Sequence, residues 1–321
     1  MSIPARYSHT GICAAMHLSV DGICLCCLYL TACSIPTTNI VGIFMTYNFM
    51  AFLTQPLTGM WADRMERKHW MLLASVLLLT LAVLATSVVM SAERWSVGMP
   101  VVAVLLGMGN SLFHVWGGKQ VAVGTGNDIR ALGVFVATGA FGLSLGMVFF
   151  SWTLLYLLLL SYCLLSVTCL HYGDALSSDN SKASRANRFG TMFVLFSVIA
   201  LIVAVVLRSF VSQAFTTELP KGSAMVLTIG AVSMLGKMVG GWIARWMGIV
   251  RMIALVLLVL TACFFLRNQG TMVLMAALFV VNCTMPVTLY LANVVLPGKE
   301  GLAFGLLAAA LIPGYLMAFC L

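Results

Sequence analysis

The residue in this chain best placed to do chemistry is a carboxylate set inside an apolar run. Asp21 follows His17 by four positions in Met16-His17-Leu18-Ser19-Val20-Asp21-Gly22. On a helix the two share one face, about 6 Å apart along the axis. An ionisable group at the centre of a membrane helix costs about 2.5–3.5 kcal/mol on insertion, so one kept there faces a cavity or a partner. A His–Asp pair can pass a proton near neutral pH, because free imidazole titrates near pH 6.5. The other carboxylates (Asp63, Glu66, Glu93, Asp128, Asp174, Asp179, Glu218 and Glu300) fall in expected loops or at helix ends.

Three further polar side chains interrupt apolar sequence. His114 follows Asn110 by one turn. Its functional reading stands beside a plain interhelical hydrogen bond, worth about 0.6–2 kcal/mol in a membrane. Arg208 and Lys237 could present positive charge to a central cavity, which suits an anionic ligand. The plainer readings are snorkelling of Arg208 to headgroups and pairing of Lys237 with Asp21. Lys119 is expected to snorkel. Asn282, Thr284 and Thr288 surround Pro286, where hydroxyls can serve a carbonyl that proline frees.

These residues need long apolar elements to hold them. The chain has 321 residues, 62% of them hydrophobic, with a mean hydropathy of +1.06. Soluble domains are about 45–50% apolar. The runs lack the alternation of a membrane β-barrel. The fold class is therefore an all-α polytopic membrane protein. About eleven helices are expected, near 12–31, 38–62, 69–91, 98–122, 131–150, 152–171, 189–213, 223–247, 251–267, 270–296 and 301–321. The polar stretch 172–188 reads as a linker between an N-terminal six-helix bundle (1–171) and a C-terminal bundle of about five (189–321).

The net charge of +8 does not point to nucleic acid. With a cytoplasmic N-terminus, most Lys and Arg residues fall on the inner side, as the positive-inside rule requires. The expected location is the cytoplasmic (inner) membrane. The first helix carries His17 and Asp21, unlike a signal-peptide core. Most of the ten cysteines lie in apolar runs, Cys24, Cys26 and Cys27 among them, and read as small packing residues. Neither a cofactor nor a metal is expected. No HExxH, Walker A or GxSxG pattern occurs, so no enzyme activity is expected.

Between the second and third runs lies Gly59-Met60-Trp61-Ala62-Asp63-Arg64-Met65-Glu66-Arg67-Lys68, five charges within six residues. This order resembles the loop after the second helix in the major facilitator superfamily of secondary transporters. Gly240-Gly241-Trp242-Ile243-Ala244-Arg245 echoes it after the eighth helix, with Arg245 where the family usually has Asp. His17 to Asp21, Gln55-Pro56-Leu57-Thr58-Gly59, Gly107 to His114, Gly139 to Gly146 and Leu207-Arg208-Ser209 are similar to the fosmidomycin-resistance efflux branch. Val115 and Trp116 depart from that branch's Pro-Glu, and Met147 replaces a proline.

The resemblance implies a two-bundle fold with twelve helices as the usual number, the last one missing here. It implies alternating access, with a gate at Gly59, Asp63, Arg64, Arg67 and Lys68 that makes charge contacts with neighbouring helix ends. The expected function is secondary transport of a small molecule, anionic or drug-like, by proton-coupled efflux. His17, Asp21, His114, Arg208 and Lys237 would carry substrate and proton. A monomer in the lipid bilayer is expected. Uptake of a nutrient anion and a non-transporting sensor or assembly component are the alternatives. A metal-dependent intramembrane enzyme built on His17, Asp21 and His114 ranks below them.

Overall fold

In lipid every backbone polar group must be satisfied within the protein, and helices do this segment by segment. The computed structural model describes residues 3–33, 37–65, 69–91, 95–177 and 190–318, and these form helices without strands. Ten helices are long and apolar enough to cross a membrane. They are α1 (Tyr7–Ala32), α2 (Ile40–Arg64), α3 (Trp70–Ser91), α4 (Gly98–Gly124), α5 (Ile129–Val148), α6 (Trp152–Leu170), α7 (Thr191–Thr217), α8 (Ser223–Met247), α10 (Thr271–Val295) and α11 (Glu300–Met317). A shorter apolar helix, α9 (Ile249–Phe265), lies between α8 and α10. The eleven match the expected runs to within a few residues. Beyond its apolar span, α6 stays helical to Ser177, six residues into the expected linker. The rest of that linker, and Glu66, Arg67 and Lys68 of the charged loop, lie outside the described residues.

Two helices break where proline withholds a donor. Pro56 cannot serve the Phe52 carbonyl one turn back, and the N–H of Thr54 takes that carbonyl instead. The strain is absorbed by a π-helical turn over Phe49–Leu53. Pro286 repeats the device: Thr284 donates its N–H to the carbonyls of Asn282 and Val281. The Thr284 hydroxyl donates to the Val281 carbonyl (2.7 Å) and the Thr288 hydroxyl to the Met285 carbonyl (2.9 Å), so the Asn282 carbonyl that Pro286 frees is served by a backbone N–H rather than by the expected hydroxyl.

Small residues set how closely the helices approach. A Cβ on Gly142 would meet the Leu18 carbonyl, and one on Gly146 the Gly22 carbonyl, so α5 lies backbone to backbone on α1. The first half (α1–α6) meets the second (α7–α11) along two such seams. Gly133 of α5 abuts the Lys237 carbonyl of α8, and Gly241 of α8 abuts the Ile129 carbonyl. Gly59 of α2 abuts Gly301 of α11, and Gly305 abuts the Gln55 carbonyl. The outward face is apolar: Leu73, Leu77, Leu81, Leu84 and Val88 recur every three to four residues along α3 and are exposed.

Candidate functional site

Helix α1 presents His17 and Asp21 to the interior, and α4 brings His114 and Asn110 to meet them. Nε2 of His17 lies 3.3 Å from Oδ2 of Asp21, and Nε2 of His114 lies 3.5 Å from Oδ1. The imidazoles meet edge to face, with centroids 4.4 Å apart. Asn110 donates its side-chain amide to Asp21 Oδ1 at 2.9 Å. All four side chains are buried. Gly139 on α5 makes room for them, because a Cβ there would strike the Asp21 carboxylate and the His17 ring.

The other nitrogens of the two rings fix the chemistry. His17 Nδ1 is 2.7 Å from the Phe135 carbonyl, and His114 Nδ1 is 2.9 Å from the Asn110 carbonyl. A carbonyl only accepts, so both Nδ1 atoms are donors. In a neutral ring Nε2 then carries a lone pair, which faces the Asp21 carboxylate. Each Nε2–carboxylate contact closes only with an added proton, on an imidazole or on Asp21. The arrangement can hold a proton between imidazole and carboxylate.

A central cavity of about 940 Å³ reaches this centre. His17, Asp21, Gln55, His114, Arg208 and Lys237 line it. It extends toward the ends of α1 and α11 (Tyr29, Tyr315) and the start of α2 (Phe44), away from Asp63. Arg208 is buried rather than snorkelling, and its Nη1 has no hydrogen-bond partner. Gln55 is fully buried, and its Oε1 likewise lacks one. Lys237 is half-buried on the same wall. Asp21 pairs with the two histidines rather than with Lys237. Cationic Arg208 and Lys237 thus line the cavity beside the His17–Asp21–His114 cluster, with Gln55 in the same wall.

At the far end, Asp63 closes the α2–α11 seam. Its Oδ1 accepts the Gly301 N–H at 2.9 Å and its Oδ2 accepts the Leu302 N–H at 2.8 Å. A carboxylate at a helix N-terminus satisfies orphan donors and meets the positive end of the helix dipole. Lys119 of α4 reaches both Asp63 Oδ1 (3.1 Å) and the Ala62 carbonyl (2.7 Å). The expectation that Lys119 merely snorkels is therefore corrected: Asp63 and the Ala62 carbonyl hold its ammonium. Arg64 is exposed.

No protein-family model and no curated protein matches the sequence. Solved structures do match the fold. The Escherichia coli fucose:proton symporter aligns over 97% of this chain and 89% of its own, with a TM-score of 0.63 at 14% identity. A second structure of that symporter, described as a major facilitator superfamily transporter in the outward conformation, aligns at 0.63 and 15% identity over 98% of this chain and 90% of its own. The chain has the major facilitator fold. A bacterial homologue of the iron transporter ferroportin, in an outward-facing state with soaked iron, aligns over all of this chain and 91% of its own, at 0.67 and 13% identity.

The second seam between the halves, α5–α8, closes differently from α2–α11. Asp128 caps its own helix, accepting the Arg130 N–H at 3.0 Å. Arg130 also pairs with Asp128 (2.7 Å), donates to the Tyr7 hydroxyl (2.9 Å) and lies 5.2 Å over the Trp242 ring. Burial would raise the Asp128 carboxyl, but hydrogen bonds from Arg130 and Tyr7 hold it below the usual carboxylate range. The α8 end thus supplies an aromatic face to a cation. Arg245, in the place of the usual Asp, is exposed.

In the sequence Gln55 stands out only as part of the Gln55-to-Gly59 motif, and Asn110 only as a neighbour of His114; neither is marked there as a site residue. Gln55 stands one residue before the proline that breaks α2, and a polar residue at a helix break inside an apolar run was the available signal. The contact of Trp242 with Arg130 had none, since it depends on two helices more than a hundred positions apart.

Proposed function

We propose that the protein is a secondary transporter of a small anion, coupled to protons and working by alternating access. The observation that carries this reading is that Arg208 lines the cavity with a buried Nη1 that has no protein partner, while Asp21, His17 and His114 line the same cavity. A buried guanidinium donor left open is costly unless a ligand completes it. Binding at the midplane between two halves is the general arrangement of such transporters. The closed Asp63 end and the cavity on the other side correspond to an outward-facing state.

The N-terminus lies in the cytoplasm of a cell bounded by this membrane, and the protein acts as a monomer of two bundles, 1–171 and 189–321. Resemblance of the α1, α2, α4 and α5 motifs to the fosmidomycin-resistance branch favours export in exchange for protons. The test is flux of labelled anions in proteoliposomes under a pH gradient imposed in either sense. Export predicts anion movement against proton flow. Movement of anion and proton together would assign uptake, and anion flux indifferent to the gradient would remove the proton coupling.

A further inference from the structure

A second chemical cluster lies outside the cavity. His9 and Cys13 sit one turn apart near the start of α1, and Cys169 faces them from α6. His9 Nε2 is 3.2 Å from Cys169 Sγ, and its Nδ1 is 3.8 Å from Cys13 Sγ. All three side chains are buried, the cysteines at 0% exposure. One nitrogen and two sulfurs lie within 4.8 Å of one another. Cys24, Cys26 and Cys27, adjacent in sequence, form no such group among the described residues.

We propose that His9, Cys13 and Cys169 bind one divalent, thiophilic cation of the zinc class, pinning α1 to α6. Ligands of tetrahedral zinc, at about 2.0–2.3 Å from the metal, lie about 3.4–3.8 Å from one another, so small side-chain rotations close the set. Soft sulfur with imidazole selects against magnesium and calcium, which take oxygen. Charge selects further. Each thiol gives up its proton as its sulfur takes the metal, so two thiols and one divalent ion yield two protons and a neutral complex. A neutral complex is what a buried, low-dielectric site tolerates, whereas a monovalent ion would leave a net negative charge.

The test is cadmium titration of the full-length protein, purified in detergent with a non-chelating phosphine reductant. Thiolate-to-cadmium charge-transfer absorption is read in the ultraviolet, and zinc serves as competitor. We expect one equivalent to bind and zinc to displace it. Cys13→Ser and Cys169→Ser should each abolish the band, while Asp21→Asn and His17→Ala leave it unchanged. A band that persists in Cys169→Ser, or no band at one equivalent, overturns the proposal. If the serine variants are not monodisperse, His9→Ala decides, since it keeps both thiols. At least tenfold weaker cadmium binding supports the site, and unchanged binding overturns it.

Discussion

Nε2 of His17 faces Oδ2 of Asp21 at 3.3 Å while Nδ1 of the same ring gives its hydrogen to the Phe135 carbonyl. The backbone of α5 thereby sets the tautomer of a side chain on α1. It turns the basic nitrogen toward the carboxylate, and His114 repeats the arrangement from α4. Neither imidazole can shed its Nδ1 hydrogen cheaply, so proton exchange is confined to the two Nε2 atoms and the carboxylate. A centre with one entry face, on a cavity, can take and release protons on one side at a time.

Gly139 is the contact that lets this centre form. Gly139→Ala would drive a methyl into Asp21 and His17. Transport in proteoliposomes should fall at least tenfold. Gly11→Ala, with nothing within 4 Å of the new methyl, should leave transport unchanged. Equal effects of the two would deny Gly139 its role.

The anion site predicts a binding defect without loss of fold. Arg208→Gln and Lys237→Gln should each weaken anion-induced thermal stabilisation at least tenfold in apparent affinity. Their elution on size exclusion should be unaltered. Arg208 should have the larger effect, because its Nη1 is buried and unpartnered whereas Lys237 is half-buried.

On the proposed alternating access, Asp63 holds the α11 N-terminus only while that end is closed, so its charge would bias a two-state equilibrium. Carboxylate–helix-terminus contacts are worth about 0.3–2 kcal/mol. Asp63→Asn should therefore shift the ratio of states by up to about thirtyfold toward opening at that end. Lys119→Ala should shift it in the same direction by less. Distances between spin labels across the Asp63 end measure this shift directly.

The opposite seam should respond to aromaticity rather than to pH. Cation–π contacts are worth about 0.5–2 kcal/mol, so Trp242→Ala should favour opening severalfold and Trp242→Phe should restore most of the contact. The Asp128 carboxyl is held below its usual value. Its contribution is thus complete above the unfolded carboxylate range near pH 4 and is lost only as pH falls through the lower folded value. Between pH 5 and 8 it is constant. Asp128→Asn should leave the shape of the pH–transport profile unaltered over that range.

The helices were legible because lipid leaves backbone groups no other partner, and the apolar runs mark each span directly. Asp21 was legible for the same reason inverted, as a charge where charge is costly. Pro56 and Pro286 announced breaks, and the threonine beside each serves the freed backbone. The partners across helices were harder. Nothing local says that His114 meets the same carboxylate as His17, that Lys119 reaches Asp63, or that Cys13 lies against Cys169. Those contacts follow from how glycines such as Gly139 and Gly301 bring distant helices together, and helix spacing alone does not encode that.

In the proposed mechanism Asp21 carries the coupled proton. Flux of a transported anion by Asp21→Asn protein, reconstituted in proteoliposomes, tests it most directly when an imposed pH gradient is compared with anion exchange at equal pH. Gradient-driven flux should disappear while exchange at equal pH persists. Gradient-driven flux that survives the substitution would contradict it.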